Sequence, residues 1–212
     1  MMNPIRYHTS RPHPWHGLRC GNNPPRIVQA FIEITPFDLV KYEVDKESGY
    51  LHVDRPQRTS ATPPMLYGFM PRTLCANRVA ALSPHAKRAD GDPLDICVLS
   101  ERPINKSDLV LDVCVVGGLQ MLDDGEADDK IIGVLVGDPV WDSARELTDL
   151  PPLVIERLQH YFSTYKLHIG EKSTTSIRDV YGYERAAQVV TAAMEDYNEI
   201  YPDPLLKPLG GV

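Results

Sequence analysis

Asp90-Gly91-Asp92-Pro93-Leu94-Asp95 runs directly into Ile96-Cys97-Val98-Leu99. Three carboxylates in six residues thus stand at the mouth of an apolar run of strand length. Gly91 and Pro93 set a turn there, so the acids are presented in a fixed arrangement rather than scattered along a helix. Asp95 sits inside the strand pattern between Leu94 and Ile96, where partial desolvation is costly unless its carboxylate is ligated or hydrogen-bonded. Concentrated negative charge requires cations, and hard oxygen ligands favour Mg2+, Mn2+ or Ca2+.

The 212-residue chain is long enough to bury a substantial core. Its 22 basic and 29 acidic side chains leave a net charge of −7, which argues against nucleic acid as a partner. The first residues contain no apolar core of signal-peptide length, and no run approaches the ~20 residues needed to cross a bilayer. The expectation is a cytoplasmic protein with no membrane partner. Four cysteines occur without a C-x-x-C pair, and Cys97 and Cys114 lie in apolar runs, which speaks against a disulfide framework or a zinc site built on cysteine.

Outward from the acidic motif, short β-patterned runs dominate. Residues 26–34 form one. Val40-Lys41-Tyr42-Glu43-Val44 alternates strictly, Asp45-Lys46-Glu47-Ser48-Gly49 supplies a turn, and Tyr50-Leu51-His52-Val53-Asp54 returns as a hairpin. Further strands are expected at 94–99, 109–116 and 130–136, with Pro63-Pro64 and residues 71–89 as loop. Many short strands separated by Gly/Pro turns favour a closed or partly closed β-barrel over a parallel sheet. Two helices follow. The first starts near Pro151-Pro152 with Asp149 or Thr148 as cap, and places Val154, Leu158, Tyr161, Phe162 and Tyr165 at helical spacing. The second spans about 183–201 and is stopped by Pro202 and Pro204. The expected fold is mainly β with flanking helices (α+β): an arm over residues 1–25, one domain over 26–201, and a tail over 202–212.

Asp123-Asp124-Gly125-Glu126-Ala127-Asp128-Asp129-Lys130 is a second acidic cluster between two expected strands. Alone it reads as a solvated turn. Lys41 and Glu43 share one strand face, Glu33 is embedded in Phe31-Ile32-Glu33-Ile34, and Arg55 ends Val53-Asp54-Arg55. Taken singly, each fits an ordinary solvent-face charge or ion pair. An EF-hand is excluded because its fifth and sixth positions would be Leu94 and Asp95. An aspartyl phosphoryl-transfer nucleophile expects a buried strand leading into the Asp pair, where Lys87-Arg88-Ala89 stands instead. Neither a Gly-rich phosphate loop nor a G-x-S-x-G elbow is present. His13-Pro14-Trp15-His16 offers two histidines without further nearby ligands, so it reads as a packing or interface element rather than a metal site.

Taken together these pieces resemble the soluble family I inorganic pyrophosphatases. The resemblance runs from about Arg26 to Tyr201 and rests on residues 90–95, Ile32-Glu33-Ile34, Lys41-Tyr42-Glu43, Asp54-Arg55, Tyr67-Gly68, residues 123–130, and His160-Tyr161-Phe162 through Tyr165-Lys166, all in order. It implies a five-stranded, OB-like closed β-barrel with two C-terminal helices. It also implies Mg2+-dependent hydrolysis of pyrophosphate to two orthophosphates by a metal-activated water, with no covalent intermediate. Several Mg2+ ions would occupy each site, with Mn2+ or Zn2+ as substitutes. Asp90, Asp95 and Asp128 would hold the first metals, and Asp123 with Asp128 those arriving with substrate. Asp92 would orient or deprotonate the attacking water, and Glu33 would act through coordinated water. Lys41, Arg55, Tyr67, Lys130, Tyr165 and Lys166 would grip the phosphate oxygens, with Glu43 in support. Bacterial relatives are commonly hexamers, so a homo-oligomer is expected.

Three positions depart from the family pattern. Pro63 stands where a second Tyr is frequent, Asp124 where Glu is frequent, and the connection from Phe69 to Asp90 is longer than in compact bacterial members. Two other functions fit the acidic motif: a metal-dependent phosphohydrolase acting on an organic diphosphate, and an OB-like barrel that binds cations without catalysis.

Overall fold

The computed structural model describes residues 11–57, 59–167, 170 and 172–202. Residues 1–10 of the expected arm and 203–212 of the expected tail lie outside them. In chain order the elements are β1 (Ile27–Ile34), β2 (Val40–Val44), β3 (Leu51–Pro56), β4 (Leu66–Phe69), α1 (Asn77–Ala81), β5 (Arg88–Ala89), β6 (Asp95–Leu99), β7 (Leu109–Asp123), β8 (Glu126–Ala127), β9 (Lys130–Leu135), α2 (Pro152–Thr164), β10 (Thr175–Gly182) and α3 (Tyr183–Ile200). No helix among the described residues is long and apolar enough to cross a membrane.

Strand β1 pairs antiparallel with both β4 and β7. The circuit continues through β4–β6 antiparallel, β6–β9 parallel and β9–β7 antiparallel, so five strands close into the expected barrel. Closure explains why these strands read as continuous apolar runs, since both faces are covered. In β6, Ile96 and Val98 join a core to which all five barrel strands contribute, together with Val189, Val190 and Ala193 of α3. Cys97 points the other way, into a second core with Leu158, Tyr161 and Phe162 of α2. Gly68 sits where β4 crosses β1, and a Cβ there would overlap the carbonyl oxygen of Phe31. Hairpin β2–β3 forms a separate two-stranded sheet outside the barrel.

Several elements differ from the sequence reading. Strand β7 extends past Val116 through Gly117-Gly118 to Asp123, where β10 crosses it. A side chain on Gly117 or Gly118 would collide with Tyr181, so these two residues, just past the expected strand end, are where β10 pairs closely with β7. Strand β10 was not expected because its pattern is broken by a bulge between Ile177 and Asp179. The connection 71–89, expected to be loop, contains α1 and β5. Helix α1 begins after Ala76, a residue that cannot cap it. Its cap comes from α3, where buried Asp196 accepts bonds from the backbone amides of Ala76 (3.1 Å), Arg78 (3.0 Å) and Val79 (3.2 Å). Helix α2 begins where expected, but Pro151 is its N-cap residue. Asp149 is bonded elsewhere, accepting from the amides of Arg145 (2.8 Å) and Glu146 (2.9 Å) to close the 3-10 turn Leu147–Asp149.

Replacing Asp196 by Ala removes that cap and leaves three amides short of an acceptor. The expected cost is about 2–4 kcal/mol. Urea denaturation should show a lower midpoint with an unchanged slope.

Candidate active site

The strand registers assemble the acidic half of the site. In the parallel β6–β9 pair, Asp95 lies opposite Lys130. In the parallel β5–β8 pair, Ala89 lies opposite Ala127, which brings the following Asp90 and the following Asp128 side by side. Antiparallel β7–β8 places Asp123 opposite Glu126 across a two-residue Asp124-Gly125 turn whose φ values are 53° and 85°. Two positive φ angles in succession are what an Asp-Gly hairpin turn accommodates. The cluster that read as a solvated turn therefore directs Asp123 and Asp128 inward. Asp124 itself is exposed and is not among the cavity-lining residues, so its departure from Glu falls on the turn.

The 90–95 motif is held from behind. Gly91 adopts φ 79°, and the Asp92 amide donates to Asp90 Oδ1 at 2.9 Å. Cys75 donates its amide to the Asp92 carbonyl (2.8 Å) and accepts from the Gly91 amide (3.0 Å). The Leu94 amide donates to Thr73 Oγ1 at 2.9 Å. The long connection 71–89 is thus a support for the acidic motif.

The basic half comes from two other places. Register within β2–β3 sets Lys41 opposite Arg55, and Asp54 forms ion pairs with both, at 2.9 Å to Lys41 and 2.5 Å to Arg55. The end of α2 delivers Tyr165, whose ring stacks on Tyr161 at 5.3 Å, and Lys166, which pairs with Asp123. All thirteen residues singled out from the sequence line one cavity of about 330 Å3: Glu33, Lys41, Glu43, Arg55, Tyr67, Asp90, Asp92, Asp95, Asp123, Asp128, Lys130, Tyr165 and Lys166. Lys46, Gln57, Glu126, Tyr161 and Trp15 also line it and were not foreseen. Lys46 extends from the hairpin turn to pair with Asp92, and no local pattern signals that reach. Glu126 lay within the acidic run and was legible as a candidate. Pro63 is buried and is not among the lining residues.

Burial works against the charged form of several acids in the cavity. Burial pushes the Asp90 carboxyl up to about 8, with the Asp128 charge adding to it. Burial likewise raises Asp128, against the nearby Lys130. Glu33 is pushed up to about 8 by burial; the Val44 amide, donating at 2.7 Å, opposes that shift, while Asp95 and Glu43 reinforce it. Burial favours the neutral form of Lys130, only 2% exposed, yet Asp128 and Asp95 outweigh it and hold the ammonium charged. Lys130 bonds both carboxylates, and Tyr67 donates its hydroxyl to Asp95 at 2.6 Å. Burial raises Tyr67 and Tyr165 too, which keeps both phenols neutral as donors. Asp90, Asp92, Asp95, Asp123 and Asp128 all line the cavity, and carboxylate oxygen is the donor type that hard divalent cations prefer. Lys41, Arg55 and Lys166 on the facing elements suit a multiply charged anion.

The family model for inorganic pyrophosphatase matches residues 30–198. The chain belongs to the inorganic pyrophosphatase family. An inorganic pyrophosphatase of Chlamydia muridarum is 41% identical over 199 residues, covering 89% of this chain and 95% of the relative. That of Chlamydia caviae is 42% identical, covering 87% and 90%. The crystal structure of inorganic pyrophosphatase from Thermus thermophilus superposes with a TM-score of 0.75 at 32% identity, covering 88% of this chain and 99% of that one. The pyrophosphatase barrel is thus shared nearly end to end.

Lys130→Met leaves buried Asp128 and partly buried Asp95 without their counter-charge. Metal-free protein should lose about 3–5 kcal/mol, the usual cost of breaking a buried pair. Added Mg2+ should restore part of that loss, as read from denaturation midpoints with and without the ion.

Proposed function

We propose that this chain catalyses Mg2+-dependent hydrolysis of inorganic pyrophosphate to two orthophosphates by a metal-activated water, without a covalent intermediate. The observation that carries this reading is the convergence of five Asp carboxylates and the Lys41, Arg55 and Lys166 cations on one small cavity. Pyrophosphate is a compact polyanion, and water attack on it meets repulsion from its own oxygens. A site for it must neutralise those oxygens and hold the nucleophile in line.

The donor set fits the divalent ions the family implies. Asp90, Asp95 and Asp128 would hold the first ions, and Asp123 with Asp128 those accompanying substrate. Bound there, such ions supply charge neutralisation and lower the pKa of coordinated water. Asp92 accepts the proton of the attacking water or orients that water toward phosphorus. Glu33, protonated or charged according to what occupies the cavity, acts through an intervening water. Lys41 and Arg55 from the hairpin and Lys166 from the end of α2 neutralise the phosphoryl oxygens. Tyr67 and Tyr165 donate neutral hydrogen bonds to them. Lys130, placed between Asp95 and Asp128, would contribute its charge to the phosphate oxygens. Mn2+ or Zn2+ as substitute ions, a homo-oligomeric assembly and a cytoplasmic location belong to the same proposal and rest on the family resemblance.

Purified protein should release phosphate from Mg2+-pyrophosphate, and far more slowly from nucleotide or other organic diphosphates. No release across pH 6.5–9, a range bracketing the ionisation of metal-bound water, would favour a cation-binding barrel instead. Asp92→Asn should lower turnover by about 10²–10⁴, the usual scale for a lost general base. Ca2+ should inhibit by occupying the cation sites with looser geometry.

A further inference from the structure

The hairpin β2–β3 carries Lys41, Glu43 and Arg55, yet it lies outside the barrel. Its placement relative to the acidic wall therefore depends on docking and not on the sheet. The docking surface is a third core made of Phe31 and Phe69 from the barrel, Val44 and Leu51 from the hairpin, Leu74, Tyr197 of α3, and Trp15. Trp15 belongs to the His13-Pro14-Trp15-His16 segment, is 4% exposed, and reaches the wall of the active cavity.

This segment touches both halves of the site. On the hairpin side it lies flush on the turn: a Cβ on Gly49 would stand 2.8 Å from His13 Cδ2 and 2.9 Å from Pro14 Cδ. On the acidic side, Trp15 Nε1 donates to the Thr73 carbonyl at 2.8 Å, and the Arg72 amide donates to the Trp15 carbonyl at 2.9 Å. Thr73 Oγ1 is the acceptor of the Leu94 amide, and Cys75 brackets Gly91 and Asp92. The two histidines are committed to this packing. His13 Nδ1 accepts from the Trp15 amide at 3.1 Å, and His16 Nδ1 lies 2.7 Å from the Tyr197 hydroxyl.

We propose that residues 13–16 form a clamp that holds the phosphate-gripping hairpin at a fixed distance from the 90–95 acidic motif, with Trp15 as its positioning residue. Trp15 acts through packing: it shares a core with Val44 of the hairpin and Phe69 of the barrel and bonds the Thr73 carbonyl, so Lys41 and Arg55 are held at the cavity with the Asp90, Asp92 and Asp95 carboxylates without having to be ordered by substrate. Preorganisation of this kind lowers the cost of binding.

The kinetic half of the proposal rests on the pyrophosphatase reading, while the structural half does not, and two measurements separate them. In metal-free protein without substrate, Trp15→Ala should accelerate hydrogen exchange of the Val40–Val44 amides by roughly ten-fold or more, as expected for a loosened local unit. His13→Ala, a milder change for use where Trp15→Ala does not fold, should act in the same direction. With Mg2+-pyrophosphate, the same variants should raise KM about 5–20-fold while kcat changes less than about 3-fold, the pattern of lost binding rather than lost chemistry. Trp15→Phe, which keeps the ring in the core, should recover most of KM. Val189→Ala on α3 serves as a control for general destabilisation. The clamp is wrong if hairpin exchange is unchanged in both variants, or if Val189→Ala accelerates it equally. If exchange rises but wild-type protein releases no phosphate, the clamp stands and the pyrophosphatase reading falls.

Discussion

Lys130, almost entirely out of water, lies between buried Asp128 and partly exposed Asp95, and the rest of the site is arranged around that triad. Neither carboxylate tolerates burial alone, and a third acid, Asp90, stands next to them. The lysine makes the metal-free fold tolerable by compensating two negative charges at once. It also opposes the rise at Asp90, but burial, with the Asp128 charge adding to it, still pushes that carboxyl up. The cavity thus gathers both the carboxylates that the proposed cations would need and the Lys and Arg side chains that the proposed polyanion would need.

That arrangement is precise because it is written into strand register. Parallel pairing sets Asp95 against Lys130, and a second, two-residue parallel pair sets Asp90 beside Asp128. Register errors are costly in a barrel, since a one-residue slip would reverse every side chain between core and surface. The same constraint that keeps Ile96, Val98 and Ile131 in the shared core thus holds the acids at the mouth. The basic wall has no such guarantee. It arrives on a hairpin and on a helix end, so its position relative to the acids depends on side-chain packing and ion pairs such as Lys46 with Asp92.

Much of this was legible in the chain. The run from Asp90 to Leu99, the strict alternation at Val40–Val44 and the helical stripe ending at Tyr165-Lys166 each carry a local signature. Residues flanked by such signatures line the cavity. The misses share a physical cause. Helix α1 is capped by Asp196, about 120 residues away, so no cap exists in its own neighbourhood. Strand β4 is four residues long and depends on Gly68 passing close under Phe31. The expected strand 109–116 stops short of Gly117-Gly118 because glycine's role there, making room for Tyr181, belongs to another strand. Lys46 and Trp15 reach the cavity from a turn and from the N-terminal segment, elements whose local pattern says only that they are exposed or irregular.

The sequence by itself determined the inventory: which acids and bases are present, in what order, and which of them sit on strands whose apolar neighbours force a register. Those properties are local, governed by side-chain type and by periods of a few residues. The tertiary structure alone decided the pairing of distant strands, the closure of the barrel, and the meeting of three separate elements around one cavity. These follow from contacts between residues tens of positions apart, whose free energy exists only once the chain has brought them together.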